Sequence, residues 1–150
     1  MPRRTTRTLR LPIFLHASPK RVFKWISTPE RLTRWLCDSA SLPARTGGTY
    51  RLGWDGGPTH SGRVLDFTRG AGFTLAWQWP GKERLGTTRL RLSIEAKDDG
   101  TVLRFTHSGF QRTGEWVDLY EGAIRGWTYF MMNLKSVMEA KHDLRSPYDW

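Results

Sequence analysis

Between Trp116 and Met138 the chain carries one apolar stripe long enough to constrain everything that precedes it. Apolar or small residues recur at Tyr120, Ala123, Trp127, Phe130, Met131, Leu134, Val137 and Met138. Gaps of three and four place them on one side of a helix of about 24 residues. A stripe that wide needs a broad apolar surface to cover it. The middle of the chain offers one as a run of alternating strands, and a long helix laid across a curved sheet leaves a groove or cavity. That cavity is where function is expected.

The strands follow from period-two alternation. Thr8 to His16 reads as a first strand, after a mobile basic lead-in over residues 1–6. Ser18-Pro19 gives an N-cap followed by proline at the first helical position, and Thr28-Pro29-Glu30 repeats that start signal. Val22, Phe23 and Ile26 supply the buried side of one short helix, and Leu32, Trp35 and Leu36 that of a second. Beyond Asp38, Tyr50, Leu52 and Trp54 alternate with polar or small residues. His60 to Phe67 is the next strand, and Phe73, Leu75, Trp77 and Trp79 then share one face. Leu90, Leu92 and Ile94 form another strand, and Asp99-Gly100 signals a hairpin into Leu103, Phe105 and His107. Sequential strands joined by tight turns imply an antiparallel meander with one wet face. The fold class is therefore α+β: a curved antiparallel sheet wrapped around a long C-terminal helix, with two short helices after the first strand.

At 150 residues the chain is read as one domain spanning 1–150. One cysteine, Cys37, rules out an internal disulfide and fits a reducing compartment. No apolar run reaches the ~18 residues of a membrane span. Leu11 to Leu15 is too short for the core of a secretory signal and alternates like a strand. A cytoplasmic protein is expected.

The element order resembles the helix-grip layout of the START-like (SRPBCC) proteins. Ala17-Ser18-Pro19 through Val22-Phe23, and Thr28-Pro29-Glu30 through Trp35, look like the opening of that group. Thr106-His107-Ser108-Gly109-Phe110, with Gly126-Trp127 and Leu134-Lys135, looks like its branch named after the activator of the heat-shock ATPase. The resemblance implies a cavity between sheet and helix that often takes apolar small molecules, and it carries no shared catalytic set. The eukaryotic co-chaperone that names the branch has a separate N-terminal domain, which a single domain of this length is not expected to hold. Fold likeness alone does not fix function.

His107 shares a face with Leu103 and Phe105 and is the candidate polar group of the cavity, orienting a ligand or moving a proton. The plain alternative is a histidine bonded to backbone at a strand end. Trp54, Trp77, Trp79, Phe105, Tyr120, Trp127 and Met131 are the candidate wall, although eight tryptophans could also fill the space as core. No histidine or cysteine spacing fits a metal, no phosphate loop or nucleophile elbow is present, and no cofactor is expected. Glu115, Asp118 and Glu121 sit where a helix start favours negative charge.

The expected function is binding of a small apolar or aromatic ligand. Two alternatives stay open: a co-chaperone-like domain stimulating a heat-shock ATPase, and a cyclase or dehydratase using the same cavity. The net charge of +10 raises a third partner class. Arg51, Arg89, Arg91 and Arg104, extended by Arg3, Arg4, Arg7 and Arg10, would form a basic outer sheet face. No aromatic platform alternates with them as single-strand binding requires, so nucleic acid is disfavoured. A stripe left exposed on the long helix would favour a homodimer.

Overall fold

The computed structural model describes residues 6–145. Strand β1 (Thr6–Leu15) leads into helices α1 (Pro19–Ser27) and α2 (Pro29–Leu32). Six strands follow: β2 (Ser39–Ser41), β3 (Thr49–Gly53), β4 (Thr59–Thr68), β5 (Gly72–Trp77), β6 (Thr88–Lys97) and β7 (Gly100–Gln111). Helix α3 (Glu115–Ala140) closes the fold. All seven strands make one antiparallel sheet in the order β1-β7-β6-β5-β4-β3-β2. The expected α+β helix-grip architecture is the one observed.

Local chemistry explains the elements. Ser18 Oγ accepts from the Arg21 N–H with Pro19 at the first helical position, so α1 starts where its cap predicts. Across β7, β6 and β5 the register sets His107 beside Leu90 and Leu90 beside Leu75, all on the inner face. Thr106, Arg91 and Thr74 form the adjacent row on the outer face. Helix α3 buries Trp116, Ala123, Trp127, Met131, Leu134 and Met138 on the inner side.

Three sequence expectations shift, and one strand was not expected. Thr6 already pairs with Gln111, so the lead-in cannot extend to it, and residues 1–5 lie outside the described residues. Helix α2 ends at Leu32, because the N–H groups of Trp35, Leu36 and Cys37 all converge on the Leu32 carbonyl and tighten the chain into a turn. That turn still buries Trp35, whose Nε1–H donates to Trp25 O at 3.0 Å. The β6–β7 turn is Asp98-Asp99, with Asp98 in the left-handed region (φ 53°) and Gly100 paired with Lys97 inside the ladder. Gly100 is needed there because a Cβ would collide with the Leu15 carbonyl and the Phe14 ring. The short strand β2 carries no sequence pattern strong enough to predict it.

A polar clasp fixes the far end of α3. Buried Asn133 donates to Trp35 O (2.9 Å) and Asp143 Oδ1 (3.0 Å) and accepts from the Leu144 N–H. Arg145 pairs with Asp143 and donates to the Thr33 and Cys37 carbonyls. The paired guanidinium holds the Asp143 carboxyl down at about 2.

Candidate functional site

The space between the sheet and the middle of α3 is nearly full. What remains there, bounded by Trp35, Tyr50, Phe73, Leu90, Trp77 and Trp127, amounts to about 20 Å³. The open volume lies to one side, at the rim of the sheet against the N-terminal half of α3. This groove measures about 420 Å³. Trp54, Pro58, His60, Trp77 and Trp79 line it from the sheet side. Asp118, Leu119, Gly122, Ala123, Gly126, Trp127 and Phe130 line it from the helix.

Each wall is held from behind. Trp54, just past β3, is pinned by its Nε1–H to Leu36 O at 2.8 Å. Trp77 ends β5 between Tyr50 and the His60 ring, which stacks on it at 4.2 Å, while Trp127 meets it edge-on at 5.5 Å. The Tyr50 hydroxyl reaches across β4 to Ala76 O at 2.7 Å. Gly62 makes that reach possible, since a Cβ would press on the Tyr50 ring and the Ala76 carbonyl. Trp79 lies beyond the end of β5 yet still stacks parallel to His107, 5.7 Å between centroids and 4° between planes.

Two histidines sit in this aromatic cluster, and both are neutral. His60 Nδ1 lies 2.9 Å from the Gln78 carbonyl, which can only accept, so Nδ1 carries the proton and the Nε2 lone pair is the ring's acceptor. Burial lowers the His60 pKa from its ordinary value. His107 is wholly buried, and burial pushes its imidazole down to about 3, with nearby His60 adding to the effect. Its Nε2 is 2.6 Å from Thr88 Oγ1, while Nδ1 and the Trp79 indole N–H have no hydrogen-bond partner among the described residues.

The sequence-derived candidates divide into two shells. Trp54, Trp77, Trp79 and Trp127 line the groove. His107 sits behind Trp77 and Trp79, and Phe105 behind Trp127 at 4.7 Å. Met131 is buried in the core. Tyr120 turns toward Phe110 and receives the Arg7 guanidinium over its ring at 4.4 Å. Eight lining positions were not singled out as wall: Pro58, His60, Asp118, Leu119, Gly122, Ala123, Gly126 and Phe130. His60 was legible, since it is two residues from Gly62 and four from inward Val64 on the same strand face. Gly122 and Gly126 were legible as glycines one turn apart inside a strong helix, where each costs roughly 1 kcal/mol against alanine. A Cβ at either would meet nothing within 4 Å.

Outside the groove, the basic face is smaller than expected. Arg91 pairs with Asp66 (3.0 Å) and Arg104 with Glu95 (3.4 Å). Arg7 turns to Tyr120, because a bulge between Arg7 and Thr8 breaks the alternation, and Arg3 and Arg4 lie outside the described residues. Among the described residues no cluster of side chains could hold a metal ion, and no helix is long and apolar enough to cross a membrane.

Residues 16–139 match the family described as Activator of Hsp90 ATPase homolog 1-like protein. The chain belongs to that family. Protein MLL2253 from Mesorhizobium loti shares the fold of this chain. The TM-score is 0.80 at 19% identity, over 91% of this chain and 99% of that one. The Aha1 dimer from Colwellia psychrerythraea aligns with TM-score 0.76 at 21% identity, over 89% and 96% of the two chains. DynU16, a putative protein in the dynemicin biosynthetic locus, gives TM-score 0.77 at 21% identity, covering 95% of this chain and 50% of DynU16. No curated protein matches the sequence. At these identities the structural likeness establishes the START-like fold and nothing finer.

Proposed function

We propose that this protein binds a small, largely apolar or aromatic molecule in the groove between the sheet rim and the N-terminal half of α3. One observation carries the reading: open space of about 420 Å³ coincides with walls of Trp54, Trp77, Trp79, Trp127 and Phe130. Ligand sites are typically ~300–1,000 Å³, apolar, and furnished with few polar groups. Removing ligand and wall from water supplies roughly 25 cal/mol per Å² of apolar area. In this reading the tryptophans contact the ligand and His60 orients it. Phe105, His107, Tyr120 and Met131 hold the walls in place from behind. A cytoplasmic setting is part of this reading, since the single cysteine, Cys37, is a free thiol and fits a reducing compartment.

Intrinsic tryptophan fluorescence, titrated with fatty acids, polyaromatics, isoprenoids and acyl conjugates, tests the reading. Saturable quenching by one class, weakened in Trp127→Phe, is expected. No response to any class would overturn it.

A cyclase- or dehydratase-type reaction in the same groove is the second reading. It is favoured by His60, a neutral imidazole oriented by Gln78 with an acceptor nitrogen to spare. It requires a substrate that changes, and loss of turnover without loss of fold in His60→Gln. Pairing of two copies is compatible with either reading. The Colwellia relative is described as a dimer, and α3 here leaves Tyr129 and Met132 41% and 48% exposed. Light scattering reads that mass directly.

A further inference from the structure

We infer that the groove selects its ligand by charge and flatness, taking a planar aromatic molecule that bears a positive charge and rejecting the carboxylate of the same shape. This rests on the ligand-binding reading above and adds the ligand's chemistry to it.

The first ground is what the lining omits. The chain has 24 Lys and Arg residues and a net charge of +10, yet neither residue type lines the groove. The lining includes one acidic residue, Asp118. Its carboxylate forms no ion pair among the described residues, unlike Glu115 three residues earlier, which is paired with Lys82 and Arg84. His60 adds no positive charge, because burial keeps it neutral. A carboxylate ligand would therefore enter apolar walls with no cation to receive it and Asp118 to oppose it. A cationic ligand would meet indole faces, which attract positive charge, and a counter-ion at the mouth.

The second ground is shape. Asp118, Gly122, Gly126 and Phe130 follow one another at intervals of four on α3, one row along the helix about 18 Å long. The two middle positions have no side chain, and the space a Cβ would take is open. Along this row the helix backbone is bare between a carboxylate and a phenyl ring, with Leu119, Ala123 and Trp127 beside it. A flat ring can lie against that backbone as it could not against a ridge of side chains, with its charged end toward Asp118.

Bulk electrostatics work the other way. A molecule of net charge +10 attracts anions over its surface, so selection for a cation must come from this site. At about 0.15 M salt the Debye length of ~8 Å leaves mainly the local terms.

The test uses three probes of one shape: aminomethylanthracene (cation), anthracenemethanol (neutral) and anthracenecarboxylate (anion). Each is titrated against tryptophan fluorescence at neutral pH and about 0.15 M salt, in wild type, Asp118→Asn and Gly126→Val. The cation should bind about tenfold tighter than the carboxylate. Asp118→Asn should weaken the cation roughly threefold, as losing an exposed ion pair does, and leave the neutral probe unchanged. That unchanged affinity also reports that the variant is folded. Gly126→Val should weaken all three. If the neutral probe binds but the carboxylate matches or beats the cation, or if Asp118→Asn leaves the cation's advantage at its full wild-type size, the inference is wrong and the groove reading stands. If none of the three binds wild type saturably, both fall.

Discussion

From Met131 onward α3 buries Met131, Asn133, Leu134 and Met138 against the sheet and the clasp around Asp143 and Arg145. From Asp118 to Gly126 the same helix turns a carboxylate and two glycines toward open space. Gly122 and Gly126 therefore give up helix propensity and packing in the first half, whereas no glycine interrupts the helix from Met131 onward. A helix whose only task was to cover a sheet would fill the gap, since alanine at Gly122 or Gly126 meets no obstacle. The contrast separates what holds the fold from what the fold is free to use.

The two halves should respond to truncation and filling with opposite signs. Leu134 is fully buried in the packed half, so Leu134→Ala should lower stability by roughly 2–5 kcal/mol in urea unfolding. A loss under about 1 kcal/mol would mean that this half is looser than described.

The aromatic layer behind the groove sharpens the comparison through pH. The unfolded chain protonates His107 near the ordinary imidazole pKa of about 6.5, whereas the folded chain resists until about 3. Between those values the unfolded state holds more protons, so stability is complete above the window and falls as pH falls through it. His60, also lowered by burial, acts in the same direction. Moving from about pH 7.5 to about pH 5.5 should cost roughly 1–2 kcal/mol. His107→Gln should flatten that dependence. An unchanged slope would place the titration elsewhere.

The smallest effect is the reverse in sign. Gly122→Ala should stabilise by about 0.5–1 kcal/mol and raise the melting temperature, while narrowing the groove. A destabilising Gly122→Ala would mean that the glycine serves the fold after all, and the comparison between the halves would fail.

Much of this was legible in the sequence. The stripe from Trp116 to Met138 required a covering sheet, and period-two alternation supplied one. Trp54, Trp77, Trp79 and Trp127 were legible as wall because each sat on an apolar face. What the sequence could not settle was which part of the space is filled. That depends on Trp35, Tyr50 and Trp127 meeting across elements far apart in the chain, and on Trp79 keeping contact with His107 after leaving its strand. His107 is the instructive case. Its face was readable, but its depth behind two indoles was not, while His60, half-buried at the start of β4, took the groove-lining position.

The most direct test of the central claim reads the indole N–H resonances by proton–nitrogen correlation spectra while anthracenemethanol is added. Trp25 lies under Arg31, beside Val137 and Met138 near the end of α3 and outside the groove lining, and serves as the internal reference. Shifts that saturate at Trp54, Trp79 and Trp127 and spare Trp25 are the expected result. Saturating shifts centred on Trp25, or no shifts at the groove tryptophans, would contradict the account.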